Sequence, residues 1–553
     1  MENRMNTLYK NPILAISASA GMITLAMTPW WNEDSLIIPK LIILFCVASY
    51  FIPFVIPSLN IFKTNKLIRA SNLVSILMLV QIVFVLIFTN APIEQQFYGR
   101  FGRGLGIATE ISLIIFFLVI LNNMTIGKID QIFIPLILSG LVTSIYSISQ
   151  YYGYDFFNWQ TRTNGIIGTL GNPNFQSSFA ALTLVPTLTY FGRNKRYSYL
   201  SILTSTILLY TIYICESTQG YIATLISVGI FTLFYFYSKN KYLFFGFLVF
   251  GITSLFLVFQ GIINNGPLAS ILYKYSVKSR GEMLRNSINV VQDNMLVGVG
   301  FDSLGDNYLR YKDFQTTQGV NEFTDHAHNL YVNYAAVAGL PYAVLHLMIM
   351  LIVVSSFIYF IKQKDIFDLK LVALFSTWVC YQAQAMISPS NITMLVWSFI
   401  FSGAIIGIAA NFYSKSEKPM SSSDPSSFTI KSLSYFTLLI SVLLMWPYFN
   451  ADKNTQDALS KGDANLAITA ANSFPRSVVR YERLGETLLK SGLQPQALQL
   501  AKDLVDFNPN SAFGWGLIMI NNSAPNNERQ NAKNKLIYLD PQNSSVRNYT
   551  ISE

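Results

Sequence analysis

The sequence predicts an all-α, polytopic membrane protein of about 12–13 transmembrane helices, with a large external loop and a C-terminal helical-repeat domain. Three observations carry this. Of 553 residues, 52% are hydrophobic and only 12% charged, about half the charged share of a soluble domain. Mean hydropathy is +0.39. About thirteen apolar stretches approach the length that carries a helix across a bilayer, at 11–30, 36–58, 71–90, 107–126, 131–150, 174–192, 197–215, 219–238, 242–262, 329–361, 368–388, 392–412 and 431–449.

The first stretch follows a weakly basic start, Arg4 and Lys10. It resembles a signal peptide, but many spans follow it, so it is taken as an uncleaved helix. Basic residues in short loops set the orientation, because cytoplasmic loops hold an excess of Lys and Arg. Lys63, Lys66 and Arg69 follow span two; Arg193, Lys195 and Arg196 follow span six; Lys239 and Lys241 follow span eight. Lys362 and Lys364 follow span ten, and Lys415, Lys418 and Lys431 follow span twelve. All are even-to-odd loops, which predicts a cytoplasmic N-terminus and external loops at 91–106, 151–173 and 263–328. The net charge of +9 then reports topology and not affinity for nucleic acid. Cys46, Cys215 and Cys380 lie far apart in predicted spans and indicate neither a disulfide framework nor a metal site.

These boundaries divide the chain into a membrane domain over 1–412, a Ser/Pro-rich cytoplasmic linker at 413–430, one more span at 431–449, and an external domain over 450–553. In that last part Phe474-Pro475, Asn508-Pro509 and Asp540-Pro541 recur at spacings of 34 and 32 residues. Between them lie helical patterns, Tyr481, Leu484, Leu488 and Leu489, then Ala497, Leu500, Ala501 and Leu504. A period near 34 closed by Pro is the tetratricopeptide pattern; a generic helical cap is the plainer alternative.

The chemistry is expected in the external segments. The chain has three histidines, and two stand in Asp325-His326-Ala327-His328-Asn329, where a polar segment meets an apolar helix. Histidine is the side chain best suited to proton transfer near neutral pH. The segment 263–328 is far longer than an ordinary loop. Within it, residues 280–297 predict an amphipathic helix with Met283, Ile288, Val291 and Met295 on its apolar face, stopped by Gly298-Val299-Gly300. Arg280 is placed at the start of that helix, where free backbone N–H groups and a guanidinium make an anion site; a solvated charge is the bland alternative. Arg100 and Arg103 lie on the outer side against the charge rule, and Arg162 precedes the turn Gly171-Asn172-Pro173-Asn174. The loop Glu216-Ser217-Thr218-Gln219-Gly220 is short and polar. His346, deep in span ten, is expected to pack between helices. Several arginines and a His-x-His-Asn, with no acidic cluster suited to a metal, fit transfer of a group from a phosphate-activated donor to an alcohol or amide.

His328-Asn329 followed by Gly339-Leu340-Pro341-Tyr342 resembles the signature of the O-antigen ligase and polymerase superfamily. Arg280 through Gly300, Gly171-Asn172-Pro173-Asn174, Gly99-Arg100 with Gly102-Arg103, and the stretch from Gln382 to Trp397 resemble further motifs of its members, over roughly residues 70–410. The resemblance implies a GT-C-like, metal-independent glycosyltransferase without cofactors, in a bacterial cytoplasmic membrane. It would move a glycan from an undecaprenyl-diphosphate-type donor to a lipid, glycan or protein hydroxyl. In that scheme Arg280 binds the diphosphate and stabilises its charge, and His328 is general base on the acceptor or orients it. His326, Asn329, Asn174, Arg100, Arg103, Arg162 and Gln219 are substrate-binding candidates. Members often carry an arginine where this chain has Gln219. Either another arginine compensates, with Arg103 leading, or donor binding is weaker, or the activity has diverged. The external repeat domain offers a surface for a protein partner or acceptor. The alternatives are an O-antigen-type polymerase, and a non-enzymatic exporter or assembly scaffold. An exporter would carry charges inside several spans, whereas these spans are nearly free of charges, and Glu110 and Lys370 lie close to span ends.

Overall fold

A computed structural model describes residues 11–56, 59, 65–157, 159, 165–312, 323–362, 367–413 and 428–551, and among these there is no strand. The helices are α1 Pro12–Leu25, α2 Ile37–Val55, α3 Lys66–Phe88, α4 Ile93–Tyr98, α5 Ile107–Asn123, α6 Asp130–Tyr151, α7 Pro173–Leu188, α8 Lys195–Ile214, α9 Thr218–Lys239 and α10 Lys241–Ile262. The external loop holds α11 Ala269–Leu272, α12 Tyr275–Asp293 and α13 Leu304–Tyr308. There follow α14 Leu330–Ile361, α15 Leu369–Ala385, α16 Ile392–Tyr413 and α17 Phe428–Lys461, then α18 Ala464–Ala471, α19 Val478–Lys490, α20 Gln494–Phe507, α21 Ala512–Ile520, α22 Asn526–Leu539 and α23 Ser544–Asn548.

Each predicted apolar stretch is a helix. Nine candidate spans among the described residues are long and apolar enough to cross a membrane; α1, α5, α7 and α15, at 14, 17, 16 and 17 residues, are shorter. Their starts are built from local chemistry. The side chains of Asn65, Asn172, Asn194, Asn240, Asn329 and Asp368 each accept hydrogen bonds from the first free N–H groups of the helix that follows. Without such caps those donors would have no intrahelical partner.

The bundle is layered around α16, whose apolar window is wholly buried, while that of α10 is wholly unburied and lies at the periphery. α16 packs on α5, α7 on α9, α2 on α17, and α1 on α6. Small residues permit the closest of these approaches: a Cβ on Gly403 or Gly407 would meet the Phe117 or Leu121 carbonyl oxygen at 2.6 Å. One end of the bundle is tied by ions. Lys370 Nζ sits 2.6 Å from Asp130 Oδ2 and Arg193 Nη1 3.6 Å from the same oxygen. These residues belong to three loops that the charge distribution assigns to one side. The loops at 99–106, 165–174, 216–219, 298–306 and 325–329 gather at the opposite end.

The C-terminal helices form two small cores, one around Tyr481, Leu484 and Leu500, the other around Ala501, Leu517 and Leu536. The repeat positions expected to be apolar are buried, apart from Leu489, which packs at the edge of both cores. The predicted break between span and external domain near 450 falls inside one continuous helix, since α17 runs 34 residues to Lys461; Pro447 interrupts its hydrogen bonding without ending it. Most of the predicted linker 413–430 lies outside the described residues. The C-terminal domain rests on the same end of the bundle as the loops just named: Arg476 contacts Glu94 at 3.2 Å, Arg483 pairs with Glu33, and the Asp34 amide donates to Asp452 Oδ2 at 3.0 Å.

Candidate functional site

The site begins with a broken helix. Gly339 interrupts α14 at φ +82°, and a Cβ there would collide with the backbone of Leu296 and Val297. The break frees backbone groups that the segment 295–300 satisfies. Val299 and Gly300 donate to the carbonyls of Ala336 and Val337 at 2.9 and 3.0 Å, and Leu340 donates to the Met295 carbonyl at 2.7 Å. Gly298 is equally confined, its missing Cβ facing the 336–338 backbone. The two glycine motifs, 40 residues apart, are therefore halves of one joint. Tyr342 sits beyond it and donates to Glu110 Oε2 at 2.7 Å.

The joint sets the position of the histidine loop. His326 is buried, and its Nδ1 accepts the His328 amide at 3.0 Å. On the other side of the ring, Nε2 accepts the Ser390 amide at 3.2 Å and lies 3.1 Å from Ser390 Oγ. Burial, then the nearby Arg103 charge, pushes the His326 pKa well below its usual value, so the ring is neutral and structural. This corrects its expected role as a substrate contact: no face is left open. His328 is half-buried with φ +52°, a left-handed conformation that favours glycine. Glu216 at +50° and Asp302 at +54° share this strain. Three of the four non-glycine residues of this kind among those described thus lie on the loops of this end, the pattern expected where surrounding structure over-determines a functional backbone.

Arg280 stands on α12. The helix starts five residues earlier than predicted, at Tyr275, because Tyr275-Ser276-Val277-Lys278 continues it with no breaking residue. Arg280 is therefore inside the helix and not among its free N-terminal amides, which corrects the expected helix-end anion site. Of the predicted apolar face, Met283 and Val291 are buried, but Ile288 and Met295 are exposed, and Val290 takes the inward position. The guanidinium is held by neutral oxygens. Nη1 donates to the Ile387 carbonyl at 3.3 Å, and with the Gln219 amide oxygen turned toward it, Gln219 accepts at 2.5 and 3.1 Å. Burial lowers the Arg280 pKa, and among the described residues no carboxylate pairs with it.

The loop 386–391 joins these parts. Arg280 grips the Ile387 carbonyl, Asn329 Nδ2 donates to the Met386 carbonyl at 3.1 Å, and His326 meets Ser390. The Asn329 carbonyl oxygen caps α14 through Tyr331 and Val332, so the residue also builds the site's framework. Asn174 Oδ1 accepts the Ser217 hydroxyl at 2.6 Å, tying the start of α7 to the Gln219 turn. Gly220 makes that approach possible, because its Cβ would lie 2.5 Å from Ser177 Cβ.

The other arginines are neutralised. Arg100 is buried; its guanidinium meets Asp306 at 2.8 Å and Glu482 at 3.7 Å, and its amide donates to Asp302 at 2.6 Å. Arg103 grips Asp325 through Nε at 3.1 and 3.2 Å and Nη2 at 2.8 Å. Burial raises the Asp325 pKa, but Arg103 outweighs it and holds the carboxyl well below its usual value. Neither arginine is a free phosphate ligand, and Arg103 does not supply the charge missing at Gln219. Both expectations are corrected for one reason: buried charges take partners. Arg162 lies outside the described residues.

Four contributors lie outside the sequence motifs. Ser390 and the Ile387 carbonyl carry no sequence signal. Asp302, whose carboxylate accepts the Arg100 and Leu105 amides and whose pKa is raised to about 6 by burial, follows the glycine stop directly. Lys40, inside a predicted span, donates to the carbonyls of Ile23, Thr24 and Thr169 at 2.9–3.0 Å; a charge within an apolar run is the sequence signal that marks it. Among the described residues no group of three or more His, Cys, Asp or Glu is placed to hold a metal ion.

No curated protein matches the chain. A family model described as O-antigen ligase matches residues 203–347, which include Gln219, Arg280, the glycine joint and the histidine loop. Over that segment the chain is similar to the O-antigen ligase family, a match that supports an O-antigen ligase-like membrane glycosyltransferase in general type.

Proposed function

We propose that the protein transfers a glycan from a polyprenyl-diphosphate donor, undecaprenyl in the resembling family, to a hydroxyl of a lipid, glycan or protein acceptor. The reaction is placed on the outer side of a bacterial cytoplasmic membrane, with the N-terminus inside and the C-terminal domain outside, and without a metal. The observation that carries this is the state of Arg280. It is a half-buried guanidinium with no carboxylate partner among the described residues, at an end of the bundle where Arg100 and Arg103 are already neutralised. An uncompensated cation in a partly dry site favours an anion, and a diphosphate fits its fork of donors.

In the transfer, the acceptor oxygen attacks the anomeric carbon as the bond from that carbon to the diphosphate oxygen breaks. Arg280, oriented by Gln219 and the Ile387 carbonyl, stabilises the charge on the departing polyprenyl diphosphate. His328 takes the acceptor proton, or orients the hydroxyl for loss of it to water. The strained backbone at His328, fixed by the His326 bond, keeps the ring on this loop.

The C-terminal domain is proposed as a tetratricopeptide-like module that recruits an acceptor or a protein partner. It favours a ligase or an oligosaccharyltransferase over a bare polymerase, because Glu482 reaches Arg100 of the loop beside the histidines. The test is glycan profiling in the native host with Arg280→Ala and His328→Ala at matched membrane levels. Accumulated lipid-linked donor with loss of product supports transfer, and the depleted fraction identifies the acceptor. Short glycans that still reach the acceptor identify a polymerase. Wild-type behaviour of both variants sinks the proposal in favour of an exporter or scaffold.

A further inference from the structure

A cavity of about 660 Å3 opens beside the Arg280 site, lined by Gln150, Tyr151, Asp155, Phe157, Trp159 and Glu216 among others. Its volume falls within the roughly 300–1,000 Å3 of small-ligand pockets. The lining is aromatic and acidic, and it is internally braced. Asp155 accepts from the Tyr146 hydroxyl at 2.8 Å, from Gln150 Nε2 at 2.7 Å and from the Phe157 amide at 3.1 Å. The Trp159 N–H donates to the Tyr146 hydroxyl at 2.9 Å, and Gln150 Oε1 accepts the Gly168 amide at 2.8 Å. Phe157 is wedged edge-on between Trp30 and Trp159, with ring centroids 4.9 and 5.9 Å away. The indole donor is thus already used, and what Trp159 has left for a ligand is its ring face.

The chemistry of this lining selects its guest. The two carboxylates of the lining, Asp155 and Glu216, disfavour a phosphate or nucleotide. The same carboxylates disfavour an acyl chain, which has no use for acceptors. A sugar ring suits both halves, since its C–H face stacks on an aromatic ring and its hydroxyls donate to carboxylates and amide oxygens. The cavity is also connected to the transfer site. Glu216, strained at φ +50°, lines it. The next residue, Ser217, is tied to Asn174, and Gln219 meets Arg280. We infer that this cavity is a sugar-binding subsite that holds the glycan beside the Arg280 centre, an inference that rests on the transfer reading above.

The test uses the full-length protein in nanodiscs. The probe is the oligosaccharide released by mild acid from the host's lipid-linked glycan, with binding read by saturation-transfer NMR. Trp159→Ala is expected to weaken binding about tenfold, with Trp159→Phe restoring most of it. Glu216→Gln, at an exposed side chain, tests the acceptor role without disturbing packing and should weaken binding severalfold. Arg280→Ala should bind the sugar as wild type does while losing transfer. A higher KM for donor in Trp159→Ala assigns the subsite to the donor's glycan, and a higher KM for acceptor assigns it to the acceptor's; either supports the inference. No binding to wild type, or equal binding to Trp159→Ala, overturns it and leaves the aromatic residues as a membrane-interface belt. Full transfer by Arg280→Ala, with sugar binding still dependent on Trp159, would instead sink the transfer reading and spare the subsite.

Discussion

The loop at 99–106 and helix α12 both bring arginines to the same end of the bundle, and they use them in opposite ways. In the loop, Arg100 and Arg103 are each matched to an acid, Asp306 and Asp325, and serve to bind the loop to the 302–325 segment. On α12, Arg280 is matched only to an amide oxygen and a carbonyl. A cation whose charge is already met is structure; one held by neutral groups retains the capacity to bind an anion. Violation of the positive-inside trend by itself does not tell the two apart.

The largest expected effect breaks this contrast at its centre. Arg280→Ala should reduce in-vitro glycan transfer by about 10²–10³-fold or more. Arg280→Lys should recover little, because an ammonium lacks the planar fork. Transfer within tenfold of wild type would move the donor site elsewhere. His328→Ala follows, with a loss of about 10²-fold or more if it handles the proton and an unchanged melting temperature in detergent; a parallel loss of melting temperature would make it structural.

Gly339→Ala tests the joint beneath both residues. The left-handed backbone alone costs a non-glycine residue roughly 1–2 kcal/mol, and the collision with Leu296 and Val297 adds to it, so a sharply lower folded yield is expected on size-exclusion chromatography. Arg103→Gln should destabilise by about 2–3 kcal/mol through the abandoned Asp325. Adding Asp325→Asn should recover part of that loss in thermal melts, whereas additive losses would deny the pairing. The smallest effect is in pH. His326 has a depressed pKa in the folded protein, so the unfolded chain takes up its proton first, and the stability tied to the neutral ring is lost as pH falls below about 6.5. The melting-temperature advantage of wild type over His326→Gln should therefore shrink from pH 7 to pH 5.

The helices of the membrane domain were legible because hydrocarbon thickness dictates the length of an apolar run, and all thirteen stretches are helices. The start of α12 was not. No capping residue announces Tyr275, and its buried face includes the polar Glu282, Asn286 and Ser287, of which Asn286 donates to the Tyr308 hydroxyl beyond the helix. The glycines at 298, 300 and 339 were visible as motifs, but their common purpose was not, since it consists of backbone hydrogen bonds between segments about 40 residues apart.

From composition and order alone the sequence determined the class of molecule, the apolar stretches that become the helices of its membrane domain, and several of the residues gathered at the site. Hydropathy and charge act locally or through the bilayer, and both can be read along a line. Only the tertiary structure decided which of those residues are free to act. It placed Asp325 on Arg103 across 222 residues, took His326 and Asn329 into the framework, and left Arg280 facing neutral oxygens. Charge compensation in a buried site depends on distances of a few ångströms between distant parts of the chain, and the sequence does not contain those distances until it has folded.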